Sequence, residues 1–142
     1  MTPRCILLVE DNPDDEVLTR RGLQQAGWDG DTRVARDGAA ALDALEQMQL
    51  LPVLVLLDLK LPKLDGIDVL RHIRETDRTR HLRVVMFTSS GEARDIARCQ
   101  TLGCNGYVVK PVAYDQYLDA VRQISRDWLR PAPALQAQGP RQ

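Results

Sequence analysis

No charge of either sign dominates this chain: 19 basic residues stand against 20 acidic ones, with a sequence pI near 6.1. A nucleic-acid binder needs a basic excess to hold phosphates, so that class is set aside and proteins become the expected partners. Cysteine is scarce. Cys5, Cys99 and Cys104 are odd in number and lack C-x-x-C spacing, which argues against a disulfide framework and a zinc site and for a reducing cytoplasm. Long hydrophobic runs are missing too. The first apolar run, Cys5 to Val9, is broken at once by Glu10 and Asp11, too short for a secretory core or a membrane span, so a soluble and unprocessed protein is expected. A length of 142 residues suits one domain and leaves no room for a second, output domain. His72 and His81, the two histidines, lie among charged residues and read as solvated surface. No internal repeat is found.

What the chain does have is alternation. Five β-rich runs, Arg4 to Val9, Asp31 to Ala35, Val53 to Leu57, Leu82 to Phe87 and Gly106 to Val109, are separated by segments of helical period. That order predicts an α/β fold with a parallel sheet covered on both faces. The third run is apolar throughout, as a central strand should be. Leu18, Gly22, Leu23 and Ala26 share one face of the first helix, and Ala41, Leu42, Leu45 and Met48 one face of the second. Asn12-Pro13 starts the first helix, Gly27 ends it, and Asp37 caps the second. Ile67, Leu70 and Ile73 mark a third. The fourth, Ser90 to Leu102, has only a thin apolar face and is the element expected to move. The last carries Tyr114, Tyr117, Leu118, Val121, Ile124 and Trp128 along one stripe. From Pro131 onward the chain has almost no large apolar residue, and residues 131–142 read as a disordered tail after a domain of residues 1–130.

Four polar signals fall at the C-terminal ends of these runs, the edge where α/β proteins place their chemistry. Glu10 and Asp11 follow the first. Asp58 follows the third and opens the loop Asp58-Leu59-Lys60-Leu61-Pro62-Lys63-Leu64-Asp65-Gly66. Thr88-Ser89-Ser90 follows the fourth, and Lys110-Pro111 the fifth. Singly, each has a bland reading as a turn former, a helix-start acid, a capping cluster or a surface lysine. Independent accidents would scatter, whereas these four share one edge. Three carboxylates at one rim raise a pKa or recruit a cation, and hard oxygen ligands favour Mg²⁺. A metal pocket, a hydroxyl and an ammonium around an acceptor carboxylate are suited to receiving a phosphoryl group.

With Glu10, Asp11, Asp58, Pro62, Asp65-Gly66, Thr88, Tyr107 and Lys110-Pro111 in place, the chain resembles the receiver domain of two-component response regulators over about residues 4 to 127. The wording from Val9 to Asp15 and from Leu102 to Tyr107 is similar to single-domain receivers that serve bacterial phytochromes. The resemblance implies a flavodoxin-like (βα)5 three-layer sandwich with strand order 2-1-3-4-5. It implies that Asp58 is the phosphoacceptor and that Asp11, Asp58 and the backbone carbonyl of Lys60 bind Mg²⁺ directly, with Glu10 acting through water. Lys110 then neutralises the phosphoryl group, and Thr88 and Tyr107 switch, the hydroxyl moving to the phosphoryl group and the ring turning inward. A cis Lys110–Pro111 bond is expected. Lys60 stands where relatives often carry a neutral amide, so it bears on phosphoryl lifetime.

The expected partner is a sensor histidine kinase, for which a bacteriophytochrome is one candidate; no nucleic acid or membrane is expected, and no catalysis beyond the domain's own phosphotransfer and autodephosphorylation. A haloacid-dehalogenase-like phosphatase would need an acid where Lys60 stands. A flavin-binding domain would need a phosphate cradle where Glu10 to Asp15 would repel one. The alternative kept open is a pseudo-receiver that serves as an interaction scaffold. Trp128 and Leu129 extend past the expected sheet edge, which predicts a homodimer through the face of the fourth helix, fifth strand and fifth helix.

Overall fold

The computed structural model describes residues 4–129 of the chain. Strands and helices alternate as β1 (Cys5–Val9), α1 (Pro13–Gln25), β2 (Asp31–Ala35), α2 (Gly38–Gln47), β3 (Leu54–Leu57), α3 (Gly66–Glu75), β4 (Val84–Thr88), α4 (Ala93–Thr101), β5 (Gly106–Val109) and α5 (Tyr114–Trp128). The strands pair in parallel in the order β2-β1-β3-β4-β5, so the flavodoxin-like sandwich expected from the sequence is the fold. β3 is central and buried at every position. β2 and β5 have the expected limits, while β4 runs on to Thr88 and so carries that hydroxyl within the ladder.

The two-residue period of the strands divides the core into two layers. Leu7, Val9, Val55, Leu57, Val84 and Met86 pack on α2 and α3, while Ile6, Leu8, Leu54, Leu56, Val85 and Phe87 pack on α1 and α5. Caps fix where the helices start. The Asn12 side chain accepts from the amides of Asp14 and Asp15 at 2.9 and 3.2 Å, with Pro13 in the first turn. Asp37 accepts from the Ala40 amide at 2.7 Å and Asp65 from Asp68 at 3.0 Å. Gly27, just past α1, has φ +92°, the left-handed conformation that ends a helix without a Cβ penalty.

Several expectations need correction. The buried face of α1 is Thr19, Gly22 and Leu23, with Ala26 exposed. The reason is contact with α5: a Cβ on Gly22 would lie 2.7 Å from Val121, and the Thr19 and Tyr117 hydroxyls hydrogen-bond at 3.0 Å. Tyr114 leaves the α5 stripe and is half exposed, its hydroxyl accepting from Arg21 at 2.7 Å. Trp128 does not project: it is partly buried against the α1/α5 layer, and Leu129 is buried. The carbonyls of Trp128 and Leu129 accept from Arg83 and Arg4, at 3.1 and 3.3 Å, so the end of α5 is folded onto its own domain. The dimer argument drawn from a free apolar end is therefore lost. The Lys110–Pro111 bond is trans, as are all peptide bonds among the described residues, in line with the intrinsic preference of X-Pro. The tail expected from Pro131 lies outside the described residues. As expected, α4 is thinly packed: of its nine residues only Cys99 is buried. No helix among the described residues is long and apolar enough to cross a membrane.

Candidate functional site

Asp58 leaves β3 at the C-terminal edge of the sheet and is 8% exposed. The loop after it closes tightly. The Gly66 amide donates to the Leu59 carbonyl at 2.6 Å, and a Cβ on Gly66 would lie 2.0 Å from the Asp58 carbonyl oxygen. Only glycine lets the first turn of α3 lie against the backbone of Asp58 and Leu59. Asp58 Oδ1 accepts from the Leu59 amide at 2.7 Å, and Oδ2 accepts from Lys110 Nζ at 2.9 Å.

Lys110 reaches in from the end of β5 and is itself buried. Its ammonium also donates to Glu10 Oε1 at 2.6 Å and to Asp15 Oδ2 at 2.9 Å, so its three protons meet three carboxylates. Burial works against the charge, but these carboxylates outweigh it and hold the lysine pKa above its ordinary value. Glu10 is almost wholly buried, and its other oxygen accepts from the Asn12 amide at 3.2 Å. Burial pushes its pKa up to about 7; the Lys110 bond and charge pull it down, and the Asp58 charge adds to the rise.

Glu10, Asp11 and Asp58 each place a carboxylate oxygen within 4.8 Å of the others, with Asp11 open to solvent. An all-oxygen, anionic donor set fits a hard divalent cation such as Mg²⁺. Lys60 is exposed beside them and lines a groove with Asp11, Asp65, Asp95 and Arg98. Thr88 is 1% exposed, and its hydroxyl accepts from the Ser90 amide at 3.3 Å. Tyr107, half-buried on β5, donates to the Ser90 carbonyl at 2.7 Å. Thr88 and Tyr107 thus converge on Ser90, whose hydroxyl donates to Asp95 in the first turn of α4 at 2.6 Å.

The structure therefore brings Glu10, Asp11, Asp58 and Lys110 into one cluster and sets Thr88 and Tyr107 on a second, linked to α4. His72 and His81 are on the surface. Two roles escaped the sequence reading. Asp15 joins Lys110, and Ser90 ties the hydroxyl and the ring to α4. The available signal for Asp15 was the run of three acids, Asp14, Asp15 and Glu16, in the first turn of α1, which reads most simply as an answer to the helix dipole.

Comparison with known proteins points the same way. The chain is 39% identical over 140 residues to the probable methanogenesis regulatory protein FilR2 of Methanothrix harundinacea, covering 93% of this chain and 90% of that one. The phosphorylated cyanobacterial phytochrome response regulator RcpA superposes with a TM-score of 0.85 at 32% identity, over 90% of this chain and 95% of that one. The Mn²⁺-bound response regulator Rcp1, from Synechocystis sp., gives 0.84 at 32% identity over 98% of this chain and 100% of that one. The response regulator receiver domain model matches residues 6–122, a span that holds both clusters, and the chain belongs to that family.

Proposed function

We propose that this chain is a single-domain response regulator that takes a phosphoryl group onto Asp58 from a sensor histidine kinase and thereby switches its contacts with other proteins. One observation carries the reading. Asp58 lies 2.9 Å from a fixed ammonium and shares a carboxylate cluster with Glu10 and Asp11, a nucleophile set between a cation and a metal-binding set. Asp11, Asp58 and the Lys60 carbonyl would hold Mg²⁺, with Glu10 acting through water. The ion would neutralise charge on the transferring group. Lys110 supplies the protein's own cation there, and Thr88 and Tyr107 carry the change to α4 through Ser90. The domain catalyses only its own phosphotransfer and autodephosphorylation, and its setting is the cytoplasm. Likeness to a phytochrome response regulator supports a bacteriophytochrome as the kinase, although FilR2 belongs to another pathway by name.

Labelling with a low-molecular-weight phosphodonor in Mg²⁺ tests the acceptor. The parent should gain stoichiometric acid-labile phosphate, and Asp58→Asn should remain folded, gain none and bind Mg²⁺ more weakly. Stoichiometric label on Asp58→Asn would move the acceptor elsewhere. A parent that takes neither phosphate nor Mg²⁺ would be an interaction scaffold. For assembly, the edge strand β5 exposes Val109 at 43% beside thinly packed α4, which supports a homodimer through the α4, β5 and α5 face. Sedimentation should show Val109→Asp weakening that dimer; a parent monomeric at high micromolar concentration, phosphorylated or not, would sink it.

A further inference from the structure

The three carboxylates around Lys110 are not equivalent. The side chains of Glu10 and Asp58 are 2% and 10% exposed, whereas that of Asp15 is 26% exposed. A carboxylate with a solvent face can exchange an ion-pair partner for water at little cost, while a buried one is left uncompensated. Nor is Asp15 a stray loop residue. Its amide is held by the Asn12 cap at 3.2 Å, and its carbonyl accepts from the Tyr117 hydroxyl at 3.3 Å.

Phosphoryl transfer changes what Lys110 has to hold. An Asp58 carboxylate oxygen attacks phosphorus as the bond from phosphorus to the leaving-group oxygen breaks, and its electron pair departs with the leaving group. With acetyl phosphate, a carboxylate and a phosphoryl dianion become an aspartyl phosphate dianion and acetate, and no proton moves. Negative charge at Asp58 grows and moves outward onto the phosphoryl oxygens. All three ammonium protons are in use before transfer; the one on Asp58 turns to the phosphoryl group as the carboxylate charge is lost, and a second can follow only if Glu10 or Asp15 gives it up.

We propose that Asp15 is the partner that yields. It is a positioning residue that occupies Lys110 in the unphosphorylated pocket and opposes the incoming dianion, so it sets how readily Asp58 is phosphorylated and how long the phosphoryl group stays. The inference rests on Asp58 being the phosphoacceptor.

The test compares the parent, Asp15→Asn and Asp15→Glu in saturating Mg²⁺, measuring labelling at limiting acetyl phosphate and the subsequent loss of phosphate. Asp15→Asn keeps the shape and removes the charge. It should be labelled about three- to tenfold faster, the range that one unit charge a few ångströms away contributes in a solvated site. It should also lose phosphate more slowly, and its advantage should shrink as salt screens the charge. Asp15→Glu keeps the charge and should stay near the parent. A residue with only a structural role would give Asp15→Asn rates equal to or below the parent at every salt concentration, which overturns the proposal. So would loss of Mg²⁺ affinity in Asp15→Asn, since Asp15 would then belong to the metal set. A parent that is not labelled indicts Asp58 as acceptor instead.

Discussion

At the residue scale the pocket is governed by one cation shared among acids. Lys110→Ala would leave Glu10, 2% exposed, beside Asp58 with no counter-charge. Removing one partner of a buried pair costs about 3–5 kcal/mol, and proton uptake by Glu10 relieves part of it, so a loss of about 2–3 kcal/mol is expected without divalent cation. Mg²⁺ should restore some of that stability by neutralising the same carboxylates. Thr88→Ala removes only the acceptor for the Ser90 amide and should cost about 1 kcal/mol. Both variants should slow phosphorylation yet keep Mg²⁺ affinity within a few-fold of the parent. Urea denaturation with and without Mg²⁺, paired with a metal titration, checks both. If either substitution abolished Mg²⁺ binding as completely as Asp11→Ala, the division into metal ligands and phosphoryl ligands would be wrong.

At the scale of elements, patterns that depend on neighbours in sequence were legible and contacts across the chain were not. The unbroken apolar run of β3 announced a strand buried on both faces, and Asn12-Pro13 and Asp37 announced helix starts that the caps bear out. The C-terminal placement of Glu10, Asp11, Asp58 and Lys110 followed from the same alternation, because every parallel strand delivers its last residue to one edge. Thr19 on the buried face of α1 could not be foreseen, since a hydroxyl is buried only where another chain segment answers it, here Tyr117 at 98 residues' separation. Asp15 was obscured for the same reason: its partner Lys110 is 95 residues away. Trp128 looked free because its cover comes from other elements, including Gly106 of β5, where an added Cβ would lie 3.4 Å from the indole. Arg74 was equally silent in the sequence. Its guanidinium donates to the carbonyls of Gly103, Arg80 and Leu82 and to the Asn105 side chain, at 2.8 to 3.1 Å, and so ties α3 to its own connection into β4 and to the segment leading into β5. With that segment held by α3, α4 is left as the loosely packed element between the pocket and β5, where a switch has least to break.

For the whole molecule, each core layer holds one buried weak acid that has to stay neutral. Cys99 is wholly buried in the layer beside α3, where burial above all pushes its thiol up to about 11 from an ordinary 9.0. Tyr117 lies in the layer between α1 and α5, and burial raises its phenol well above the usual 10.0 despite the Thr19 bond. Below pH 9 both groups are protonated in the folded and unfolded chain alike and give stability no pH dependence. As pH passes 9 the unfolded thiol loses its proton while the folded one keeps it. The unfolded state then binds fewer protons, and stability falls until the folded thiol also ionises near 11. A gap of two pKa units is worth up to about 3 kcal/mol. The Tyr117 contribution has the same sign and begins about one unit higher. Urea denaturation at pH 8, 9, 10 and 11 should therefore show a decline that opens near 9 and steepens past 10. Cys99→Ala should start from lower stability, because it leaves a cavity, and should show a shallower decline between 9 and 10, the remainder coming from Cys5 and Cys104, whose thiols burial also raises. Equal slopes for parent and variant across that interval would mean that the thiol is not held neutral by the fold and that the alkaline limit lies with the other groups.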